Sequence, residues 1–128
     1  MALQISYTDD MGATHSEAYA KIEVIRVKFK ESVADLYVYI YHNAAARSKA
    51  DASTQKKEII QIPYIITDSA FTTYLADTEL LTNGKSLLVQ LYTWLKQHND
   101  GPLTHTEPEG HRLVNEGNNI NWTTATDV

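Results

Sequence analysis

The chain contains no cysteine, which excludes disulfide bonds and zinc sites built on thiolates. Its net charge of −5 provides no basic footprint, and this argues against general nucleic-acid binding. The first ten residues hold two aspartates, no basic cluster and no long apolar run. They predict no signal peptide, and no segment of the sequence is apolar over the length that a membrane span needs. We therefore expect a soluble protein with one core, for which 128 residues suffice.

Catalytic and cofactor motifs are also missing from the sequence. It has no serine nucleophile elbow, no glycine-rich phosphate loop and no zinc-protease helix motif, and its carboxylates form no calcium-loop pattern. Two histidines and two glutamates cluster near the C-terminus, at His105, Glu107, Glu109 and His111. Their spacing fits neither a helix nor a strand, so a solvated loop explains them better than a metal site. The sequence predicts no enzyme, no cofactor and no metal site.

The clearest structural signal is a long β-hairpin over residues 21–42. A turn at Glu31 and Ser32 would place aliphatic side chains on one dry face. The predicted pairs on that face are Phe29–Ala34, Val27–Leu36 and Ile25–Val38. The predicted pairs on the other face are Lys28–Asp35, Arg26–Tyr37, Val24–Tyr39 and Ile22–Tyr41.

The second face of this hairpin changes character along its length. Near the turn it is charged, and the stripe of Arg26, Lys28 and Lys30 is better explained by solvation than by phosphate binding. Towards the base it carries Tyr37, Tyr39 and Tyr41. A solvated sheet face does not need such a row. We expect a helix of the same chain or another subunit to cover it, so the three tyrosines are interface candidates.

Shorter patterns complete the predicted fold. Residues 3–7 and 58–66 alternate as strands, and Pro63 places the second of these at a sheet edge. Two helices are predicted near residues 68–76 and 85–98, whereas residues 43–57 predict a loop or a short frayed helix. The predicted class is α+β, with an antiparallel sheet arranged as a sandwich or a partly open barrel.

The last thirty residues are poor in large apolar groups. We expect residues 1–98 to form the domain and residues 99–128 to form an extended arm, because so few apolar groups cannot offset the entropy of ordering the backbone. Ile120 and Trp122 are further interface candidates, since solvated tails seldom carry a tryptophan.

Four short motifs carry a resemblance to a known family. The chain begins Met-Ala-Leu at residues 1–3, continues Ala-Tyr-Ala-Lys-Ile at residues 18–22, and has Gln-Leu-Tyr-Thr-Trp-Leu-Lys at residues 90–96. It ends Ala-Thr-Asp-Val at residues 125–128. In these motifs the chain resembles small virion proteins of tailed bacteriophages. It departs from their pattern at residues 99–123, which look like an extension before the usual ending.

This resemblance implies a non-enzymatic structural subunit that assembles in the tail, baseplate or neck of a phage particle. It implies contacts with other virion proteins and with copies of itself, without nucleic acid or membrane. The protein would then be found in the virion, after assembly in the cytoplasm of the host bacterium. A capsid decoration protein and a carbohydrate-binding module that uses exposed tyrosines are alternatives. A small hydrolase is a third, which would need acid–base residues clustered in a pocket.

Overall fold

The computed structural model describes residues 1–9, 11–52, 58–99 and 120–128. They form one open five-stranded antiparallel sheet with helices on both faces, which confirms the α+β class. The strands lie in the order β4-β3-β2-β1-β5. In chain order, the elements are β1 (Leu3–Thr8), β2 (Thr14–Lys28), β3 (Val33–Tyr41), α1 (Ala44–Ala52), β4 (Glu58–Thr67), α2 (Asp68–Leu75), a π-helical turn (Thr78–Thr82), α3 (Leu87–Leu95), a 3-10 turn (Trp122–Thr124) and β5 (Thr126–Asp127).

The predicted helices and the edge strand are confirmed. α2 and α3 lie within the two predicted helical segments. α1 is a short helix, which was one of the two structures predicted for its part of the chain. β4 is an edge strand of the described sheet, with Pro63 directly opposite Tyr37 of β3. Proline has no backbone N–H to donate, so its position at an edge leaves the pairing with β3 intact.

One face of the sheet forms the core. Alternate residues of all four long strands point to this face, where α2 and α3 pack against them. Helix α3 contributes Leu91, Trp94 and Leu95, and α2 contributes Phe71 and Leu75. The leucines of α3 are not equally buried, because Leu88 is exposed at the N-terminal end of the helix whereas Leu91 and Leu95 are completely buried.

The register of the central hairpin differs from the prediction by two residues near the turn. Val27 faces Ala34 rather than Leu36, and Ile25 faces Leu36 rather than Val38. The chain turns over four residues, Phe29–Ser32, instead of two, and Ser32 takes the left-handed conformation with φ 55°. A two-residue shift leaves each side chain on its predicted face. Ile25 and Val27 accordingly pack against the core, although both are only half-buried.

A β-bulge in β2 moves one residue to the opposite face from that predicted. The register shifts between Ile22 and Val24, so Ile22 pairs with Val38 and is buried in the core instead of facing outward beside Tyr41. The Ile22 N–H points away from β3 and donates to the Tyr92 hydroxyl at 2.8 Å, and that hydroxyl donates to the Met1 carbonyl at 3.1 Å. Burial raises the pKa of Tyr92 to about 12. Tyr92 therefore fastens α3 to the bulge and to the start of the chain.

Residues 120–128 pack onto the domain instead of extending away from it. Ile120 and Trp122 are buried in the core, and β5 pairs with β1. The Trp122 indole N–H donates to the Tyr64 hydroxyl at 2.7 Å. The prediction that these two side chains anchor a neighbouring subunit is wrong, because they fill their own core. The rest of the predicted arm, residues 100–119, lies outside the described residues.

Candidate protein-interaction site

The face of the sheet opposite the core, here called the outer face, is covered at one end and open at the other. Of the three predicted interface tyrosines, Tyr41 is 2% exposed and Tyr39 is 8% exposed, whereas Tyr37 is 41% exposed. Helix α1 lies over the covered end, where Arg47 sits above the Tyr41 ring at 5.8 Å. The chain itself therefore covers one end of the tyrosine row, whereas the other end is left open for a partner. Tyr37 is the member that remains available for contact.

A charged network holds α1 on the covered end. The Arg47 guanidinium donates two hydrogen bonds to the Glu23 carboxylate, each 3.0 Å long, and the Tyr41 hydroxyl donates a third at 2.7 Å. Burial of the Glu23 carboxylate raises its pKa, but the hydrogen bonds from Arg47 and Tyr41 outweigh this, and the net pKa lies below the usual value. Burial and the Glu23 carboxylate together raise the pKa of Tyr41. The network stays charged at neutral pH and fixes the boundary of the open region.

We predict that Glu23→Gln removes part of the acid sensitivity of the fold. A carboxyl group with a depressed pKa in the folded state stabilises the protein fully above its unfolded pKa, near 4.5, and this stabilisation is lost as the pH falls from that value through the lower pKa of the folded state. Urea unfolding of both proteins at neutral pH and near pH 3 measures the effect, and the wild type should lose more stability on acidification. Glu17→Gln, at an exposed position of the same strand, is the matched control. Equal acid sensitivity in Glu23→Gln and the wild type would refute the prediction.

The open end of the outer face carries a compact apolar surface. It consists of Val24, Tyr37, Pro63 and Ile65, contributed by three adjacent strands, and we call it the outer-face patch. Val24 and Tyr37 pair directly across β2 and β3, and both are more than 40% exposed. A shallow groove of about 390 Å³ runs across the patch. Contiguous exposed apolar surface with a polar border is typical of protein interaction sites.

An ion pair borders the patch on the side of the hairpin turn. The Arg26 guanidinium donates to one oxygen of the Asp35 carboxylate from Nη2 at 3.0 Å and from Nε at 3.3 Å. The Arg26 side chain is 70% exposed, so the pair contributes little to stability. It does keep charged groups at fixed positions beside the apolar surface, where they can orient an incoming partner.

The only described cluster of histidines lies elsewhere, where the β1–β2 turn approaches the end of β3. The Asp9 carboxylate accepts from His15 Nε2 at 3.0 Å, and His15 Nδ1 lies 2.7 Å from His42 Nδ1. The hydrogen bond from His15, with two further bonds from backbone N–H groups, keeps the pKa of Asp9 below its usual value. His15 is thus bonded to a second imidazole instead of a hydroxyl or thiol that it could activate.

The structure describes no group of three or more histidine or carboxylate side chains placed to hold a metal ion in residues 1–9, 11–52, 58–99 and 120–128. The histidines and glutamates near residues 105–111 lie outside these ranges.

Sequence reasoning identified Tyr37 but missed the other members of the patch and the network beneath α1. Val24 was paired with Tyr39, whereas it lies opposite Tyr37, because the predicted register was displaced. Glu23 was not singled out, since its partner Arg47 comes from a segment without apolar periodicity. Pro63 indicated that β4 is an edge strand, but an edge position does not show which face of the strand is exposed.

No family model, curated protein or solved structure matches this chain. Among the described residues, none of the helices has the length and apolar character needed to cross a membrane.

Proposed function

We propose that the protein is a non-enzymatic structural subunit of a tailed-phage virion, which assembles in the tail, baseplate or neck through protein–protein contacts. The observation that carries the proposal is the outer-face patch, an apolar surface on a rigid sheet that the described part of the chain leaves uncovered. The sequence resemblance to small virion proteins of tailed phages supplies the class of particle. In this proposal the partners are other virion proteins and copies of the chain, and the protein resides in the virion.

The chemistry of the patch suits a packing surface. Tyr37 combines a large apolar ring with a hydroxyl group and loses little conformational entropy on burial, which is why tyrosine is enriched at protein interfaces. Val24 and Pro63 are short or rigid, so they also lose little entropy when a partner covers them. The strands beneath the patch are paired on both sides along β3, which holds these side chains in place.

The proposal predicts that Tyr37→Asp leaves the fold intact but prevents incorporation into particles. Tyr37 keeps 41% of its surface exposed, so its replacement should lower the free energy of unfolding by only about 1 kcal/mol, mainly because aspartate is disfavoured in a strand. A carboxylate in the centre of an apolar contact would, however, have to be desolvated on assembly. Particles are purified from infected cells that supply the tagged wild type or variant, and the tagged protein is quantified in the particle fraction.

Met11→Ser is the control, because Met11 is an almost fully exposed apolar residue on the β1–β2 turn, outside the patch. It should enter particles at the wild-type level. Absence of the wild-type protein from purified particles would overturn the proposed function. Presence of wild type and Tyr37→Asp in equal amounts would retain the function but exclude the patch as a contact surface.

A carbohydrate-binding module is the second candidate, and one observation favours it. Tyr37 is the single well-exposed ring of the tyrosine row, and it lines a groove together with the polar pair Arg26 and Asp35. Sugars commonly stack on such a ring while neighbouring polar groups bind their hydroxyls. Calorimetric titration with a panel of bacterial surface glycans distinguishes the two functions. Saturable binding that Tyr37→Ala abolishes would favour this candidate over a purely structural subunit.

A further inference from the structure

We propose that the edge of β2 next to the hairpin turn receives an extended strand from a partner protein, with acidic side chains on one face of that strand and apolar side chains on the other. This surface is distinct from the outer-face patch. It consists of the backbone of Ile25 and Val27, with Arg26 and Lys28 on one side and Leu88 and Val89 on the other. We call it the β2 edge.

The β2 edge exists because β1 is much shorter than β2. β1 pairs with β2 only from Thr14 to Ala20, whereas β3 pairs with β2 as far as Lys28. Beyond the bulge, no strand formed by the described residues lies beside β2 on the side away from β3. At the start of this stretch, the Tyr92 hydroxyl accepts a hydrogen bond from the Ile22 N–H. The stretch from Ile25 to Lys28 follows immediately.

Two independent features fix which backbone groups point to the free side. Pro63 has no N–H and faces Tyr37, so we infer that the N–H and C=O of Tyr37 point to β2 and bond with Val24, its partner there. Backbone direction alternates along a strand, so the N–H and C=O groups of Ile25 and Val27 point away from β3. The Ile22 N–H is an independent check. Ile22 pairs with Val38, the residue next to Tyr37 on β3, so the alternation predicts that the Ile22 N–H points away from β3. This N–H does point away, because it donates to the Tyr92 hydroxyl. An incoming strand thus finds two donors and two acceptors.

The side chains around this edge define the chemistry of the incoming strand. On the outer face, Arg26 and Lys28 flank the edge, and both side chains are more than 40% exposed, so they can contact a partner although each also pairs within the hairpin, with Asp35 at 3.0 Å and Glu31 at 3.8 Å. Cross-strand neighbours of opposite charge stabilise a sheet, so acidic residues fit opposite them. Lys30 adds a third exposed cation in the adjoining turn. The partner therefore carries carboxylates on this face.

We infer that exposed apolar residues of α3 border the core-side face of the edge. Tyr92 reaches β2 from α3, and Leu88 and Val89, which precede it by four and three residues, lie on the same side of the helix. Both are exposed. The N-terminal half of α3 lies towards the hairpin turn, because Gln90 binds α2, whose Phe71 contacts Phe29 of the turn. Alternate side chains of an added strand would therefore point towards Leu88 and Val89, which suit apolar residues.

A second copy of this chain is a poor match for the same edge. Two copies joined edge to edge about a two-fold axis would bring the Arg26 and Lys28 side chains of one copy opposite those of the other. Like charges directly opposite each other destabilise a sheet. The opposite edge of the sheet is also unsuited, because Pro63 removes a donor from the free side of β4. Charge complementarity therefore favours a different, acidic protein.

Backbone amide exchange in the free protein tests the geometry of the β2 edge. The Ile25 and Val27 amides should exchange at least tenfold faster than the Val24 and Arg26 amides, because only the latter donate to β3. Comparable protection of all four would overturn the proposal, since it would mean that the edge is already occupied.

Binding is tested with a blocked peptide of about seven residues that alternates glutamate and valine, followed by NMR. We expect saturable binding that protects the Ile25 and Val27 amides at least tenfold, and at least tenfold weaker binding by a peptide that alternates lysine and valine. Arg26→Gln with Lys28→Gln should weaken binding of the acidic peptide at least tenfold, whereas Lys30→Gln should weaken it by less than threefold.

Val27→Pro removes one outward donor, as Pro63 does at the other edge, and should reduce binding to a similar extent. If this variant fails to fold, the charge variants and the two peptides still decide the question. Equal binding of both peptides would overturn the proposal, and so would protection of Ile25 and Val27 through formation of a dimer of the free protein, detected by sedimentation.

Discussion

Replacement of Trp122 by alanine is expected to destabilise the fold by about 3–5 kcal/mol, the range for removing a large aromatic side chain from a close-packed core. Trp122 is completely buried, and its ring packs near the Tyr64 ring at a centroid distance of 6.3 Å. The substitution also leaves the Tyr64 hydroxyl without the indole N–H that it accepts. A domain of ordinary stability has about 5–15 kcal/mol in total, so a large part would be lost. Urea denaturation followed by circular dichroism measures the change.

Val128→Ala is the matched control, because it removes an exposed apolar side chain from the same C-terminal segment. It should change the stability by about 0.5 kcal/mol or less. A Trp122→Ala protein with the stability of the wild type would show that the C-terminal segment is dispensable for the domain, as the sequence alone had predicted.

The second large effect is expected at the centre of the sheet. Val38→Asp places a carboxyl group in a fully buried position, and an uncompensated buried charge costs about 3–5 kcal/mol, enough to unfold a marginally stable domain. Val27→Asp, the same substitution at a half-buried site near the turn, should cost only about 1–2 kcal/mol, because its carboxyl group can reach water. The thermal midpoint of each variant provides the comparison.

This pair tests the observed register as well as the stability. In the predicted register, Val27 faced Leu36 within the dry layer, so its substitution would have unfolded the domain. In the structure it lies opposite Ala34, two residues from the turn, and is only half-buried. Equal destabilisation by the two aspartates would contradict the burial pattern described for the hairpin.

The sequence allowed the elements and most of the core faces to be predicted. Strict alternation in β1 and β4 identified their buried positions, and the spacing of the leucines in α3 identified a helix. These signals are local, because each depends on which side chains share one face of one element.

The hairpin register could not be predicted because it depends on the turn. Residues 29–32 contain no glycine or asparagine that would specify a two-residue turn, and Ser32 adopts a left-handed conformation that its sequence does not indicate. The bulge beside Ile22 is stabilised by the Tyr92 hydroxyl, seventy residues away in the chain. No pattern within the strand could have revealed it.

The prediction that the C-terminal segment extends away from the domain rested on its low number of apolar residues. That number does not show where the few apolar side chains pack. Few large apolar groups occur after residue 99, but Ile120 and Trp122 occupy sites that the sheet and α3 leave unfilled. A sparse segment can be ordered when its few apolar side chains are buried completely. For the interaction site, sequence reasoning found Tyr37 but could not separate it from Tyr39 and Tyr41, because the helix that covers them carries no apolar periodicity.

The hydrogen bonds of Tyr92 and Trp122 also determine how quickly the chain can fold. They join residues separated in the chain by 70 and 91 positions for Tyr92, and by 58 positions for Trp122. The β2–β3 hairpin joins neighbouring segments, so its loop-closure entropy is small and it can form first. The distant contacts close large loops, and domains in which such non-local contacts predominate fold in about milliseconds to seconds instead of microseconds. Until those contacts form, the core face of the sheet lacks the side chains of α3 and of the C-terminal segment that bury it.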